Sequence, residues 1–350
     1  MIKKVEDNFL KKLFSASGVV ITPHVAPDGD AVGSTVSLSF MLTLKNIPNI
    51  ILTDSKPDYY KDLLRINSCI DKEIPLKIEE TLIKSEIDSL GDNPLHVYVD
   101  CAEKSRIKSS LDVIKKAGVF NYSNTLAIDH HERPDDFVLS YIDESSPSCG
   151  DLMFNIMTST FKQSEIPSEL ATAIYYAIAS DTDNFRHLTN NNSDTFERAR
   201  VLTELGANPS LVYNARHGGR PLENIEYMAK ILSNLVVIKD KNVIVALDDK
   251  DMFSKLGREA RPSKSIYDTL LEVKDVEMIA FLKYREVEGE IEGSLRVSPK
   301  STYQAHEICR ILASGGGHEK AAGFTYHGSM DEALSAFIEL INSNLEELKK

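Results

Sequence analysis

At 350 residues the chain exceeds what one typical hydrophobic core sustains, which predicts two domains. A formal net charge of −13 excludes broad electrostatic binding to duplex nucleic acid, since such binding is mostly neutralisation of phosphates by Lys and Arg. A small anionic substrate held by metal ions and a few basic side chains stays compatible. The four cysteines, Cys69, Cys101, Cys149 and Cys309, form no CxxC pair, which argues against a thiolate zinc site or a disulfide framework and points to a reducing cytoplasm.

The opening MIKKVEDNFLKKLF carries acidic residues, lacks the apolar run of a signal peptide and reads as an amphipathic helix. The least charged stretches, 31–44 and 170–180, fall short of the roughly 20 apolar residues that cross a bilayer, so no membrane segment is expected. Residues 18–22 (GVVIT) form a β-branched run that ends just before His24, and 33–44 continue as a helix. The plan recurs at 95–100 (LHVYVD) and 125–129 (TLAID), apolar strands with a carboxylate at or near the C-terminal end. Such alternation predicts a parallel sheet covered on both faces, whose ligands gather outside the carboxyl ends of the strands. Asp181 closes an apolar helix over 171–180.

After Phe185 the chain turns polar, then helical, with interruptions at 190–192 and at Gly218-Gly219, as a connecting region would. Strands at 242–247, 276–284 and 291–297, a helix at 303–313, a glycine loop, a strand at 321–326 and a closing helix at 330–348 follow. The fold class expected is α/β: an N-terminal parallel-sheet domain over 1–190, a helical linker over 191–236 and a smaller mixed α/β domain over 237–350.

His24, Asp28 and Asp30 share the strand-to-helix turn, where Gly29 lets the backbone fold tightly enough for both carboxylates to face inward. Asp100, Asp129, His130 and Asp181 add oxygen and imidazole donors from other segments. Each acid alone would pass as a helix cap or loop residue, so the argument rests on the set. Carboxylate plus imidazole without thiolate suits Mn²⁺, Fe²⁺, Co²⁺ or Mg²⁺ over structural zinc, and the histidines favour Mn²⁺, with Mg²⁺ or Co²⁺ as substitutes. So many carboxylates in one cleft would repel without cations, which favours two ions over one. Such a pair activates a water as hydroxide and offsets charge developing on a phosphoryl group. In the smaller domain Arg296 ends a strand, and His318 follows Gly315, Gly316 and Gly317, whose N–H groups would cradle an anionic phosphate.

In this order, HVAPDGDAVGS, VDCAEKSR, IDHH and ASDT resemble the four motifs of the DHH phosphoesterase family. GGGHEKAAG, with Gly293-Ser294-Leu295-Arg296 upstream, resembles the DHH-associated C-terminal domain of its nanoRNase-like branch, so that the resemblance spans nearly the whole chain. It implies one Mn²⁺ on His24, Asp28 and Asp100 and a second on Asp30, Asp100, His130 and Asp181, with Asp100 bridging. It implies further that His131 faces the phosphate and stabilises or protonates the leaving oxygen while Asp129 orients the histidine pair. Arg296, Ser314, Gly315, Gly316, Gly317 and His318 would hold a second phosphate or nucleotide across an interdomain cleft. Arg106, Arg258 and Arg261 are weaker candidates, most surface arginines being simply solvated. Two positions depart from the family pattern: Ser314 takes the first of four usual glycine places, and Asp183, read as a loop residue, stands where a small residue is common.

The activity expected is Mn²⁺-dependent hydrolysis of short oligoribonucleotides and dinucleotides, linear pApA and cyclic di-AMP among them, to 5′-mononucleotides by metal-activated hydroxide. Removal of the 3′-phosphate of adenosine 3′,5′-bisphosphate would use the same chemistry. The manganese pyrophosphatase branch is disfavoured by the GGGHEKAAG pattern, and processive single-strand exonucleases by their additional nucleic-acid-binding domains. The intact metal motifs disfavour a non-catalytic nucleotide-binding protein. The partner expected is a small nucleotide or short oligonucleotide, with neither duplex nucleic acid nor membrane; a homodimer is compatible with the resemblance.

Overall fold

The computed structural model describes residues 4–54, 84–101, 103–116, 121–131, 139–218, 220–258 and 260–343, with Lys61, Leu63, Ile78, Glu79 and Gly118. Cys69 and the last expected turns of the closing helix, 344–348, lie outside the described residues. The chain divides into two compact units, Met1–Gly219 and Arg220–Lys350, and the segment expected as a linker is shared between them.

In the first unit, β1 (Val19–Pro23), β2 (Asn49–Leu52), β3 (Ile78–Glu79), β4 (Leu95–Val99), β5 (Thr125–Asp129) and β6 (Leu139–Ile142) pair in the order β3-β2-β1-β4-β5-β6, all parallel. Every residue of β1, β4 and β5 is buried. Val19 and Ile21 enter one apolar core and Val20 another, as a parallel sheet covered on both faces requires. The strands β2 and β6 were not anticipated: NIIL is only four residues long, and LSYI is largely half-exposed, so neither carries a periodicity of its own. The order reverses between β1 and β4, and this switch point opens a crevice at the carboxyl ends of those two strands.

Around the sheet lie α1 (Asp7–Phe14), α2 (Gly29–Leu44), α3 (Lys84–Ser89), α4 (Lys108–Lys116), α5 (Cys149–Thr160) and α6 (Ser168–Asp181). The helix α2 is buried from Gly29 to Leu42, and its buried hydroxyls find acceptors: Thr35 Oγ1 donates to Ala31 O at 2.9 Å, Ser37 Oγ to Gly33 O at 2.6 Å and Ser39 Oγ to Asn49 Oδ1 of β2 at 2.5 Å. A Cβ at Gly33 of α2, or at Gly150 of α5, would lie 2.8 Å from the Cβ of Ala177 in α6. Ala177 thus sits between two glycines and brings three helices close to backbone contact.

Next come α7 (Ser193–Glu204) and α8 (Pro209–His217). Although expected in a connecting region, both buttress the first unit. Thr195 Oγ1 donates to the buried Asp151 Oδ1 at 2.9 Å, and Arg198 Nε lies 3.5 Å from the same oxygen. From α8, Arg216 donates to Ala179 O at 2.7 Å and Ser180 O at 3.2 Å, capping the end of α6.

The second unit contains α9 (Leu222–Ser233), β7 (Val236–Ile238), β8 (Val243–Leu247), α10 (Lys250–Leu256), α11 (Ser263–Leu271), β9 (Met278–Tyr284), β10 (Glu290–Val297), α12 (Ala305–Leu312), β11 (Ser314–Gly317), β12 (Ala321–His327) and α13 (Met330–Ser343). Its sheet runs β11-β12-β10-β9-β8-β7, antiparallel except for β8 with β9. The helices α12 and α13 cover one face, and α9, α10 and α11 pack on the β8–β9 part of the other. Arg261 is no surface anion contact, because it is buried 2.9 Å from Asp248, which also accepts from Tyr227 Oη at 2.6 Å.

The expected glycine loop is instead the edge strand β11, with Gly316 opposite Gly323 of β12. Glycine has no strand propensity, so the run reads as a loop. The sheet accepts it because a Cβ at Gly315 would lie 2.6 Å from Phe324 Cβ, and Gly317 takes φ 141° with Ala321 O 2.7 Å from where a Cβ would be. Among the described residues no helix is long and apolar enough to cross a membrane.

Candidate metal centre

Four segments deliver the acidic and imidazole side chains to the switch point. His24 directly follows β1, and Asp28 caps α2, its Oδ1 accepting from the backbone N of Asp30 at 3.0 Å and of Ala31 at 3.1 Å. Asp100 follows β4 with φ 57°, a left-handed conformation that Asp tolerates better than most residues. Asp129 ends β5, His130 and His131 follow it, and Asp181 ends α6.

Ligand atoms of His24, Asp28 and Asp100 lie within 4.8 Å of one another, as do those of Asp30, His130 and Asp181 and those of Asp100, His130 and His131. Both inner histidines have their tautomer set by backbone. His24 Nδ1 donates to Val25 O at 2.8 Å and His130 Nδ1 to Ser146 O at 3.2 Å, which in the neutral ring leaves each Nε2 with a lone pair for a cation. His24 Nε2 faces Asp100 Oδ2 at 3.7 Å, and His130 Nε2 faces Asp100 Oδ1 at 3.4 Å, Asp181 Oδ2 at 3.6 Å and Asp30 Oδ2 at 3.8 Å. Asp100 Oδ1 is buried, and among the described residues His130 Nε2 and His131 Nδ1, at 3.4 and 3.7 Å, face it from beyond a close hydrogen bond. Lone pairs facing carboxylates at these separations fit cations between them.

The charges point the same way. Burial raises Asp30, Asp100 and Asp181 above the usual carboxylate range, and the carboxylates raise one another further. Burial opposes protonation of His130, but Asp100, Asp30 and Asp181 outweigh it and push the imidazole up to about 10. A buried cluster that strains to gain positive charge is relieved by divalent ions. Mn²⁺ added to chelator-stripped protein is expected to raise Tm, the stabilisation reaching about 2.7 kcal/mol at a hundredfold excess over Kd. Differential scanning fluorimetry with and without EDTA checks this, and an unchanged Tm would count against the centre.

His131 stands apart. Its Nδ1 lies 2.8 Å from Asp129 Oδ1, which also accepts from the backbone N of His130 at 2.8 Å and of His131 at 3.2 Å. The ring is 44% exposed, so Nε2 is open to a ligand, and the Asp129 bond raises its proton affinity. Burial works against the charge on Asp129, yet the His131 bond outweighs it and holds the carboxyl below its ordinary value.

Other supports leave little trace in the sequence. Cys149 N and Gly150 N, at the start of α5, donate to Asp30 Oδ2 at 2.7 Å and Oδ1 at 3.0 Å, and Ser34 Oγ adds a bond of 3.0 Å. The signal available was Ser148-x-x-Asp151, a helix-start signature; Ser148 Oγ indeed accepts from Asp151 N at 3.2 Å. After Asp181 come three non-glycine residues with positive φ, Asp183 (46°), Asn184 (54°) and Phe185 (70°). Backbone bonds from Asn184 N to Ala179 O at 2.8 Å and from His187 N to Thr182 O at 3.0 Å hold this costly turn. Asp183 belongs to the turn, 2.7 Å from Arg186.

The remaining predicted site residues lie in the second unit. Arg296 on β10 donates to Leu295 O at 2.9 Å, and its guanidinium rests 4.9 Å from the centre of the Tyr267 ring. Ser314, Gly315, Gly316 and Gly317 form β11, and the exposed His318 follows, its backbone N donating to Ala321 O at 2.8 Å.

A doubly covered parallel sheet with a carboxylate–imidazole cluster at its switch point, followed by a mixed-sheet unit with a glycine edge, defines an α/β protein of two parts with side chains that could hold metal ions. Residues 18–178 match the DHH family, N-terminal domain, and residues 229–347 the DHHA1 domain. The chain belongs to the DHH family. It is 25% identical to the cyclic-di-AMP phosphodiesterase GdpP of Bacillus subtilis over 98% of this chain and 50% of that protein, so it spans half the length of that relative. It is 28% identical to the bifunctional oligoribonuclease and PAP phosphatase NrnA of Thermus thermophilus, over 93% of this chain and 90% of that one. A solved exopolyphosphatase-related protein from Bacteroides fragilis superposes with a TM-score of 0.77 at 25% identity, covering 98% of this chain and 97% of that one.

Proposed function

We propose that this protein is a Mn²⁺-dependent phosphodiesterase that hydrolyses short oligoribonucleotides and dinucleotides, pApA and cyclic di-AMP among them, to 5′-mononucleotides. The observation that carries the reading is the convergence of His24, Asp28, Asp30, Asp100, His130 and Asp181 into ligand groups that share Asp100 and His130. Two divalent cations in such a site supply an acidified water and neutralise charge at a phosphoryl group. His24 and His130 present their Nε2 lone pairs to those cations, and Asp28, Asp30, Asp100 and Asp181 present carboxylate oxygens. His131, fixed through Nδ1 by Asp129, carries a proton at Nε2 for the leaving oxygen. In the second unit, Arg296, Ser314, Gly315, Gly316, Gly317 and His318 are the residues we assign to nucleotide binding. The names of the two enzymatic relatives support this substrate class.

His131→Gln is expected to lower kcat by about a hundredfold or more, the usual contribution of a general acid. Mn²⁺ binding should persist, as judged by the Mn²⁺-induced Tm shift; loss of that shift would instead make His131 a ligand. The test of the whole reading is product chromatography with Mn²⁺ and pApA, cyclic di-AMP, a short RNA, adenosine 3′,5′-bisphosphate and pyrophosphate in parallel. AMP released from pApA is the expected result. Phosphate from pyrophosphate alone would overturn it, and turnover of the bisphosphate alone would make the 3′-phosphatase reaction the main role.

A further inference from the structure

In the second unit, residues alternate across β10 so that Ile291, Leu295 and Val297 are buried while Glu292, Ser294 and Arg296 line the opposite, half-exposed face. The register sets Glu292 between Lys283 and Thr325, and Ser294 between Phe281 and Gly323; Gly316 lies beyond Gly323 on β11. The helices α9, α10 and α11 stop over β8 and β9. Beyond them is a cavity of about 610 Å³ whose floor, at Gly323 and Gly316, has no side chains, and a Cβ at Gly316 would meet nothing within 4 Å. Glu292 and Thr325 stand on its wall beside Ser294, and Arg296 lies beyond the lining, four residues or about 13 Å from Glu292 along the strand.

A carboxylate on the wall of a site read as anion-binding needs a reason. Glu292 bonds through Oε1 to the buried ammonium of Lys283, which also donates to Ser294 Oγ at 2.7 Å. This pairing offsets the negative charge and pins the side chain. Among the described residues the Glu292 Oε2 atom is paired with Arg258 at 3.4 Å, whose side chain is 63% exposed, a weak claim on that oxygen. A carboxylate has about four lone-pair sites and no proton to give, so what it takes from the cavity is a donor.

We propose that Glu292 reads a neutral hydrogen-bond donor of the bound nucleotide, a ribose hydroxyl or a base N–H, from the wall of this glycine-floored cavity. Carboxylates serve both purposes elsewhere, accepting from ribose hydroxyls and from base amino groups. The inference rests on the nucleotide reading above and adds to it the residue that selects among nucleotides.

The test is calorimetric binding of AMP, 2′-deoxy-AMP, GMP and inorganic phosphate to the full chain and to Glu292→Gln, which keeps an acceptor for Lys283. Loss of a bond to a charged acceptor should weaken the preferred nucleotide by about tenfold or more and leave inorganic phosphate unchanged. Collapse of the AMP to 2′-deoxy-AMP ratio identifies the ribose as the group read, and a changed AMP to GMP ratio identifies the base. Unchanged ratios overturn the proposal. Glu292→Asp, which keeps the charge facing Lys283 but withdraws it by one methylene, should shift the same ratio and serves if the Gln variant does not fold. Turnover of pApA is followed in parallel. Turnover with unaltered ratios sinks the role of Glu292 alone, altered ratios without turnover sink the phosphodiesterase reading alone, and absence of nucleotide binding by the unaltered protein overturns both.

Discussion

Asp100→Asn is expected to reduce Mn²⁺-dependent turnover by about a thousandfold or more while raising the Tm of the metal-free protein. Asp100 belongs to two of the three ligand groups, so its loss weakens both halves of the centre. Metal centres supply several kcal/mol of transition-state stabilisation, and each 1.36 kcal/mol is tenfold in rate, which sets that scale. The gain in stability has a separate cause. Asp100 is 1% exposed, and burial disfavours its charge by more than the neighbouring His130 favours it, so a neutral amide of the same shape removes a costly buried charge. Asparagine is chosen over alanine because φ is 57° here, and Asn tolerates the left-handed region. Steady-state kinetics at saturating Mn²⁺ and thermal melts in EDTA check both halves. Turnover within tenfold of the unaltered protein would remove Asp100 from the mechanism.

Gly33→Ala is expected to destabilise the protein by about 2 kcal/mol and to weaken Mn²⁺ binding by about tenfold. Inside a helix, Gly to Ala ordinarily stabilises by about 1 kcal/mol, so the sign depends on the neighbours. The new Cβ would stand 2.8 Å from Ala177 Cβ, 2.8 Å from Ala177 N and 2.9 Å from Ala177 Cα. Two of those three atoms are backbone, so α2 and α6 must separate. These helices carry Asp30 and Asp181, which share a ligand group with His130, so the separation spreads the group. Chemical denaturation and Mn²⁺ titration measure the two effects. A variant as stable as the parent, with unchanged Mn²⁺ affinity, would show that the three-helix contact does not set the geometry of the centre.

Much of the architecture was legible because the elements that build it are long or strongly patterned. The runs GVVIT, LHVYV and TLAID announced β1, β4 and β5, and a carboxylate or histidine at each end announced the crevice. The strands flanking the β1-β4-β5 centre of the first sheet and the glycine edge of the second were not legible. NIIL and LSYI become strands only beside β1 and β5, and a glycine run becomes β11 only beside β12. Such a short or glycine-rich strand takes its conformation from its partners' hydrogen bonds, which leave no periodic mark on its own residues.

The candidate site divides in the same way. Residue identity by itself determined that the chain is an α/β protein with an acid-rich, thiolate-free donor set suited to hard divalent ions. Only the tertiary structure decided which donors meet. The order β3-β2-β1-β4-β5-β6 sets β4 beside β1, and the contact of α2 with α6 carries Asp181 to Asp30 across more than half the length of the first unit. The supports were likewise decided in three dimensions: Cys149 and Gly150 for Asp30, Val25 O and Ser146 O for the histidines, and Lys283 for Glu292. The physical reason is that ligand chemistry is a property of a side chain, whereas tautomer, proton affinity and hydrogen-bond occupancy belong to its neighbours, most of which are remote in the chain.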